Sequence, residues 1–103
     1  MDKLCKIENG TLFVKVEGEL DHCMAEQIRG ILDKNLVSPG VNRIIFDLSK
    51  LTFMDSTGIG LLIGRYKRAR ALNVDMYITG ATAAVSKILN LSGIFSIIPT
   101  INI

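Results

Sequence analysis

Residues 44–46, Ile-Ile-Phe, form a short apolar run with helix-spaced segments on both sides. Such a run is what a strand buried on both faces looks like. Upstream, Met24, Ile28, Ile31, Leu32 and Leu36 recur at helical spacing. Downstream, Ile59, Leu62, Ile63, Tyr66, Ala69 and Leu72 do the same. Strands that alternate with helices imply a largely parallel sheet with right-handed crossovers.

The rest of the chain fits that plan. Residues 4–8 read as a strand, Asn9-Gly10 as a hairpin turn, and residues 11–17 as an alternating second strand. Gly18-Glu19-Leu20-Asp21 breaks it, and Asp21 is placed to cap a helix over 22–36 that Ser38-Pro39-Gly40 ends. A strand follows at 43–48, then a connection over 49–54 and a helix over 57–72. Residues 74–79 give a strand, Thr82 caps a helix reaching Leu91, Ser92-Gly93 stops it, and a last strand is expected at 94–98. The expected fold is α/β: a mixed, mostly parallel sheet with helices packed on it, in the order β-β-α-β-α-β-α-β. A chain of 103 residues with 49% hydrophobic residues suits one domain over 1–103.

Composition removes several function classes. The net charge is +2 and aromatic residues make up 6%, so the basic stripe with stacking rings that a nucleic-acid surface wants is missing. The densest basic group, Arg65, Lys67, Arg68 and Arg70, is expected on the solvated face of one helix. Cys5 and Cys23 form no Cys-x-x-Cys motif, and with His22 as the one histidine no zinc set is visible. Two reduced thiols suit the cytoplasm. The N-terminus, Met1-Asp2-Lys3-Leu4-Cys5-Lys6, has no apolar signal core. No run of about 18 apolar residues exists to span a membrane.

The chemistry-bearing stretch is Phe53-Met54-Asp55-Ser56-Thr57-Gly58-Ile59-Gly60. It puts two hydroxyls after an acid and before an amphipathic helix, so Ser56 is expected as the N-cap. A helix start has unpaired amides and a positive dipole end, so a phosphate on such a serine would be tolerated by the fold and sensed by a partner. Gly58-x-Gly60-x-x-x-Gly64 suggests a dinucleotide fingerprint. However, its glycines fall on the helix, and Asp75 opens the next strand instead of closing it. The glycines are better explained by close approach of this helix to the sheet or to a neighbouring chain. Asp55-Ser56-Thr57-Gly58 is one residue too long for the aspartic-protease triplet. No Gly-x-Ser-x-Gly elbow exists for a hydrolase, and His22 is expected at the surface. Asp21 and Asp55 remain as a pair, each at a strand-to-helix junction.

These residues resemble a known family. The stretch from Phe53 to Gly60, followed by Gly64-Arg65-Tyr66-Lys67, is similar to the STAS domain of anti-sigma factor antagonists. Gly18-Glu19-Leu20-Asp21-His22 resembles that family's first signature, and Asn90-Leu91-Ser92-Gly93-Ile94-Phe95 its later one. The resemblance covers nearly the whole chain. It implies partner switching without catalysis or a cofactor. The unphosphorylated antagonist binds an anti-sigma factor that is also a serine kinase, which frees the sigma factor. Phosphorylation of Ser56 ends that binding, and a PP2C-type phosphatase reverses it. Asp21, Asp55, Ser56, Thr57, Gly58 and Ile59 would form the partner surface, with Asp21 as the acid beside the phosphoacceptor and Thr57 as the lesser acceptor. Gly64-Arg65-Tyr66-Lys67 favours the sporulation type over the stress-response type. A small nucleotide-binding protein is the reading from another function class. Family members usually carry a further C-terminal helix, whereas Ile103 follows soon after the last expected strand.

Overall fold

The computed structural model describes residues 4–103; Met1, Asp2 and Lys3 of the polar N-terminal stretch lie outside them. The elements are β1 Cys5–Glu8, β2 Thr11–Lys15, β3 Gly18–Leu20, α1 His22–Leu36, β4 Arg43–Asp47, β5 Leu51–Met54, α2 Ser56–Ala71, β6 Asp75–Thr79 and α3 Ala83–Ser92, followed by a 3-10 turn at Ile94–Ser96. The main sheet has the order β1-β2-β4-β6. β1 runs antiparallel to β2, while the β2–β4 and β4–β6 pairs are parallel. The hairpin turn is left-handed at both residues, with φ of 51° at Asn9 and 80° at Gly10, as an Asn-Gly turn between twisted strands requires.

The mixed, mostly parallel α/β fold is the one the sequence implies, with three differences of detail. Gly18–Leu20 and Leu51–Met54 are strands and form a second, parallel sheet of their own. Both are too short for an alternation to register, and each exists because the other is there to bond it. The expected strand at 94–98 is a 3-10 turn instead. Ile94 and Ile98, four apart, both point into the core, at 1% and 0% exposure. That is helical spacing, and the Ile98 amide donates to the Ile94 carbonyl at 2.9 Å. Strand-like pairing begins a little later, where the Ile78 amide donates to the Pro99 carbonyl and the Ile101 amide to the Ile78 carbonyl, both at 3.0 Å.

Leu12, Val14, Ile44, Phe46, Met76 and Ile78 share one buried cluster with the inner faces of all three helices. The helices therefore cover the same side of the main sheet. Ile45 is buried too, on the other side, in register between Phe13 and Tyr77.

Arg65 overturns the expectation of a fully solvated basic face: it is 7% exposed. α1 packs along that side of α2, and Asp33 Oδ1 lies 3.0 Å from Arg65 Nε and 3.2 Å from Arg68 Nε. The Arg65 N–H is not aimed at the oxygen, so this is a charge contact without an aligned hydrogen bond, and Arg65 Nη1 has no acceptor. Burial lowers the Arg65 pKa. Asp33 acts in the opposite direction, and Arg68 and Arg29 add smaller depressions. The guanidinium remains charged, because arginine titrates far above neutrality.

Candidate functional site

β3 and β5 run in parallel and end together, with Leu20 opposite Met54. The next residue in each chain segment is an aspartate in extended backbone, and each aspartate starts a helix. Asp21 and Asp55 therefore stand side by side at the carboxyl ends of paired strands, where open α/β folds gather functional groups. Asp21 Oδ1 accepts from the Met24 amide at 3.0 Å. Asp55 Oδ1 accepts from two amides, Thr57 at 2.9 Å and Gly58 at 3.1 Å.

The cap of α2 is thus Asp55, not Ser56. Both residue types cap well, and the choice falls one position earlier because the Asp55 carboxylate reaches two amides at once. Ser56 is the first residue of α2 and is exposed. Among the described residues nothing hydrogen-bonds its hydroxyl, so no general base is in place to make it a nucleophile. Thr57 and Ile59 are half-buried in the first turn.

Gly58 is buried beneath this turn. A Cβ there would stand 2.7 Å from the Leu20 carbonyl oxygen and 2.7 Å from Met54 Cγ. Met54 could move, but the β3 backbone could not, so glycine lets α2 seat directly on both strand ends. Gly60 and Gly64 differ: a Cβ at either would meet nothing within 4 Å. The expectation that the glycines serve close approach holds inside the molecule for Gly58 alone. Phe53, an exposed aromatic at 44%, stands on β5 two residues before Asp55. It was not among the expected partner residues, because the stretch 49–54 reads as a plain connection when β3 is not recognised as its pair.

The electrostatics are set by two helix starts and two carboxylates. Each helix N-terminus contributes roughly half a positive charge, so the end stays net negative by about one charge. His22, the first residue of α1, is exposed. Among the described residues no group of three His, Cys, Asp or Glu could hold a metal ion, and no helix is long and apolar enough to cross a membrane.

The chain is 34% identical over 90 residues to an anti-sigma F factor antagonist of Paenibacillus polymyxa, covering 87% of this chain and 77% of that protein. It is 30% identical over 81 residues to an anti-sigma-B factor antagonist of Staphylococcus aureus, covering 79% and 74%. Among solved structures, the Bacillus cell fate determinant SpoIIAA in its phosphorylated form superposes with a TM-score of 0.74 at 27% identity, covering 95% of this chain and 89% of that one. The STAS domain pattern itself matches residues 3–102, and the chain belongs to the STAS family.

Proposed function

We propose that this protein is an anti-sigma factor antagonist of the sporulation type, acting as a regulatory binding protein and not as an enzyme. In its unphosphorylated form it binds an anti-sigma factor with serine kinase activity and so releases the sigma factor. Phosphorylation at Ser56 ends the binding, and a PP2C-type serine phosphatase restores it. The observation that carries this reading is the placement of Ser56: exposed, unbonded, and next to a helix cap that works without it. The resemblance of the chain to antagonists of both sigma F and sigma-B anti-sigma factors supports the class of partner. The higher identity to the sigma F type favours sporulation over the stress response. The two free thiols, Cys5 and Cys23, suit the cytoplasm in which such partners would be met.

The physical account is a charge block. A phosphate brings about −1.5 to −2 charge at neutral pH. On Ser56 it would join Asp55 and Asp21, and the amides of Thr57 and Gly58 that could have received it are already held by Asp55. The phosphate would therefore project from the surface. Ser56, Phe53 and Ile59 could then not be covered without burying an unpaired dianion, which an interface does not tolerate. The fold stays as it is and the binding is lost.

The test is incubation with the kinase-type anti-sigma factor and ATP, followed by intact mass, peptide mapping and a binding assay. One phosphate on Ser56 with loss of binding is expected. Ser56→Ala should bind constitutively, and Ser56→Asp should bind more weakly. If Ser56→Asp binds as well as wild type, the charge block is wrong. If Thr57 takes the phosphate, the site is misassigned. Titrating anti-sigma factors of both types decides between sporulation and stress response.

A further inference from the structure

β1 is the first strand of the main sheet, and its outer edge is open. Glu8 and Thr11 close the hairpin, and the Lys15 amide donates to the Leu4 carbonyl at 2.9 Å. Hydrogen-bonded and non-hydrogen-bonded positions alternate in an antiparallel pair, so Leu4, Lys6 and Glu8 turn their backbone polar groups toward β2. The amides and carbonyls of Cys5 and Ile7 point the other way. The Asn9 amide does so too, because it shares a trans peptide unit with the Glu8 carbonyl. Among the described residues, nothing pairs with these outward groups.

The side chains of β1 sort by face. Ile7 lies opposite Leu12, on the side the helices cover, yet it stays 44% exposed. Lys6 lies opposite Phe13 on the other side, and Glu8 shares that side. Lys6 Nζ stands 3.0 Å from Glu8 Oε2, with the two side chains 74% and 54% exposed. Open edges recruit other strands, and a lysine on the edge is the usual guard against this. Here the guard carries its own complement two residues along.

We infer that β1 pairs with β1 of a second copy of this chain, antiparallel about a two-fold axis at Ile7, so that one sheet runs through both copies. Residues directly opposite each other point to the same side of a sheet, so a symmetric pairing centres on one residue. Centred on Lys6 or on Glu8, it sets like charges face to face, which is destabilising. Centred on Cys5, it leaves Ile7 and Glu8 outside the overlap of the two strands. Centred on Ile7, it sets Lys6 of each copy against Glu8 of the other. Together with the Lys6–Glu8 pair inside each strand, the charges then alternate in sign around the axis. Each Ile7 amide meets the Ile7 carbonyl of the other copy, and each Asn9 amide reaches the other Cys5 carbonyl. The exposed Ile7 side chains cover one another. Strands of 4 residues bury less area than a stable interface needs, so the dimer is a weak one, with a Kd on the order of 100 µM. Neither β3, β5 nor α2 takes part, so the dimer does not depend on the Ser56 reading.

The test is sedimentation of the full chain under reducing conditions from about 10 µM to 1 mM, with ¹⁵N amide shifts followed over the same dilution. A concentration-dependent dimer is expected, with the largest shifts at the Ile7 and Asn9 amides and smaller ones at Lys6 and Glu8. Lys6→Glu and Glu8→Lys should each weaken it about tenfold, because each sets like charges opposite one another twice. The double exchange, Lys6→Glu with Glu8→Lys, should restore it to within about threefold of wild type. A chain that stays monomeric throughout, shifts centred away from β1, a Lys6→Glu variant that dimerises as well as wild type, or a double variant no tighter than the single ones would each overturn the assignment.

Discussion

The molecule builds one local plan twice. β3 leads through Asp21 into α1, and β5 leads through Asp55 into α2, with the two strands paired and the two caps adjacent. The copies then diverge. After Asp21 come His22, Cys23 and Met24; after Asp55 come Ser56, Thr57 and Gly58. Met24 and Gly58 hold the same position, third in their helices. Met24 is a half-buried side chain that packs against the core. Gly58 is the point where the other helix presses its backbone against Leu20. One start is a simple cap. The other is drawn tightly onto the strand ends, so its exposed first residue sits on a rigid base. That difference, and not the presence of an acid, distinguishes the candidate site from its twin.

The sharpest way to break the comparison is at Gly58. Gly58→Ala is expected to destabilise the fold by about 1–3 kcal/mol, the ordinary range for overpacking, because the new methyl meets a backbone oxygen at 2.7 Å. Urea denaturation would measure it. A neutral outcome would mean that α2 can lift off the strand ends and that the site is not rigid.

The two caps come next. Asp55 accepts two amides and Asp21 one. Within the range of about 0.5–2 kcal/mol for loss of a cap, Asp55→Ala should fall toward the upper end and Asp21→Ala toward the lower. Equal losses would mean that the second amide contributes nothing.

What the sequence could and could not convey follows from the range of each interaction. The cap of α1 at Asp21, the cap of α3 at Thr82 and the left-handed stop at Gly93 were all legible, because a cap is a matter of neighbouring residues. The β3–β5 pairing was not, since neither segment carries a pattern of its own. Arg65 went to the wrong surface for a related reason: its partner Asp33 lies on another helix, more than thirty residues away. The Ser56 cap was misplaced by one position because Asp55 and Ser56 are both capable, and only the geometry of the Asp55 carboxylate decides between them. The site region itself was legible; which of its residues supports the helix and which stands free was not.

Gly60 and Gly64 sharpen the comparison from the partner's side. Each lies in a helix interior with open space where a side chain would go, so Gly→Ala should stabilise α2 by about 0.5–1 kcal/mol at each position. If either change raises thermal stability yet weakens binding of the anti-sigma factor, the bare helix backbone belongs to the interface. If binding is untouched, the interface stops at the first turn.

The smallest effect is the most diagnostic. Had Ser56 been the cap, Ser56→Ala would cost about 0.5–2 kcal/mol. As the exposed first residue of a helix already capped by Asp55, it should cost no more than about 0.5 kcal/mol, the ordinary scatter of a surface substitution. The same variant should lose all phosphorylation at that position. The separation is physical: the residue that holds the helix start is not the residue that would carry the signal, so the hydroxyl can be modified or removed while Asp55 goes on capping. A loss above about 1 kcal/mol on denaturation of Ser56→Ala would show the two roles fused in one side chain, and the charge-block account would then need the helix start itself to move.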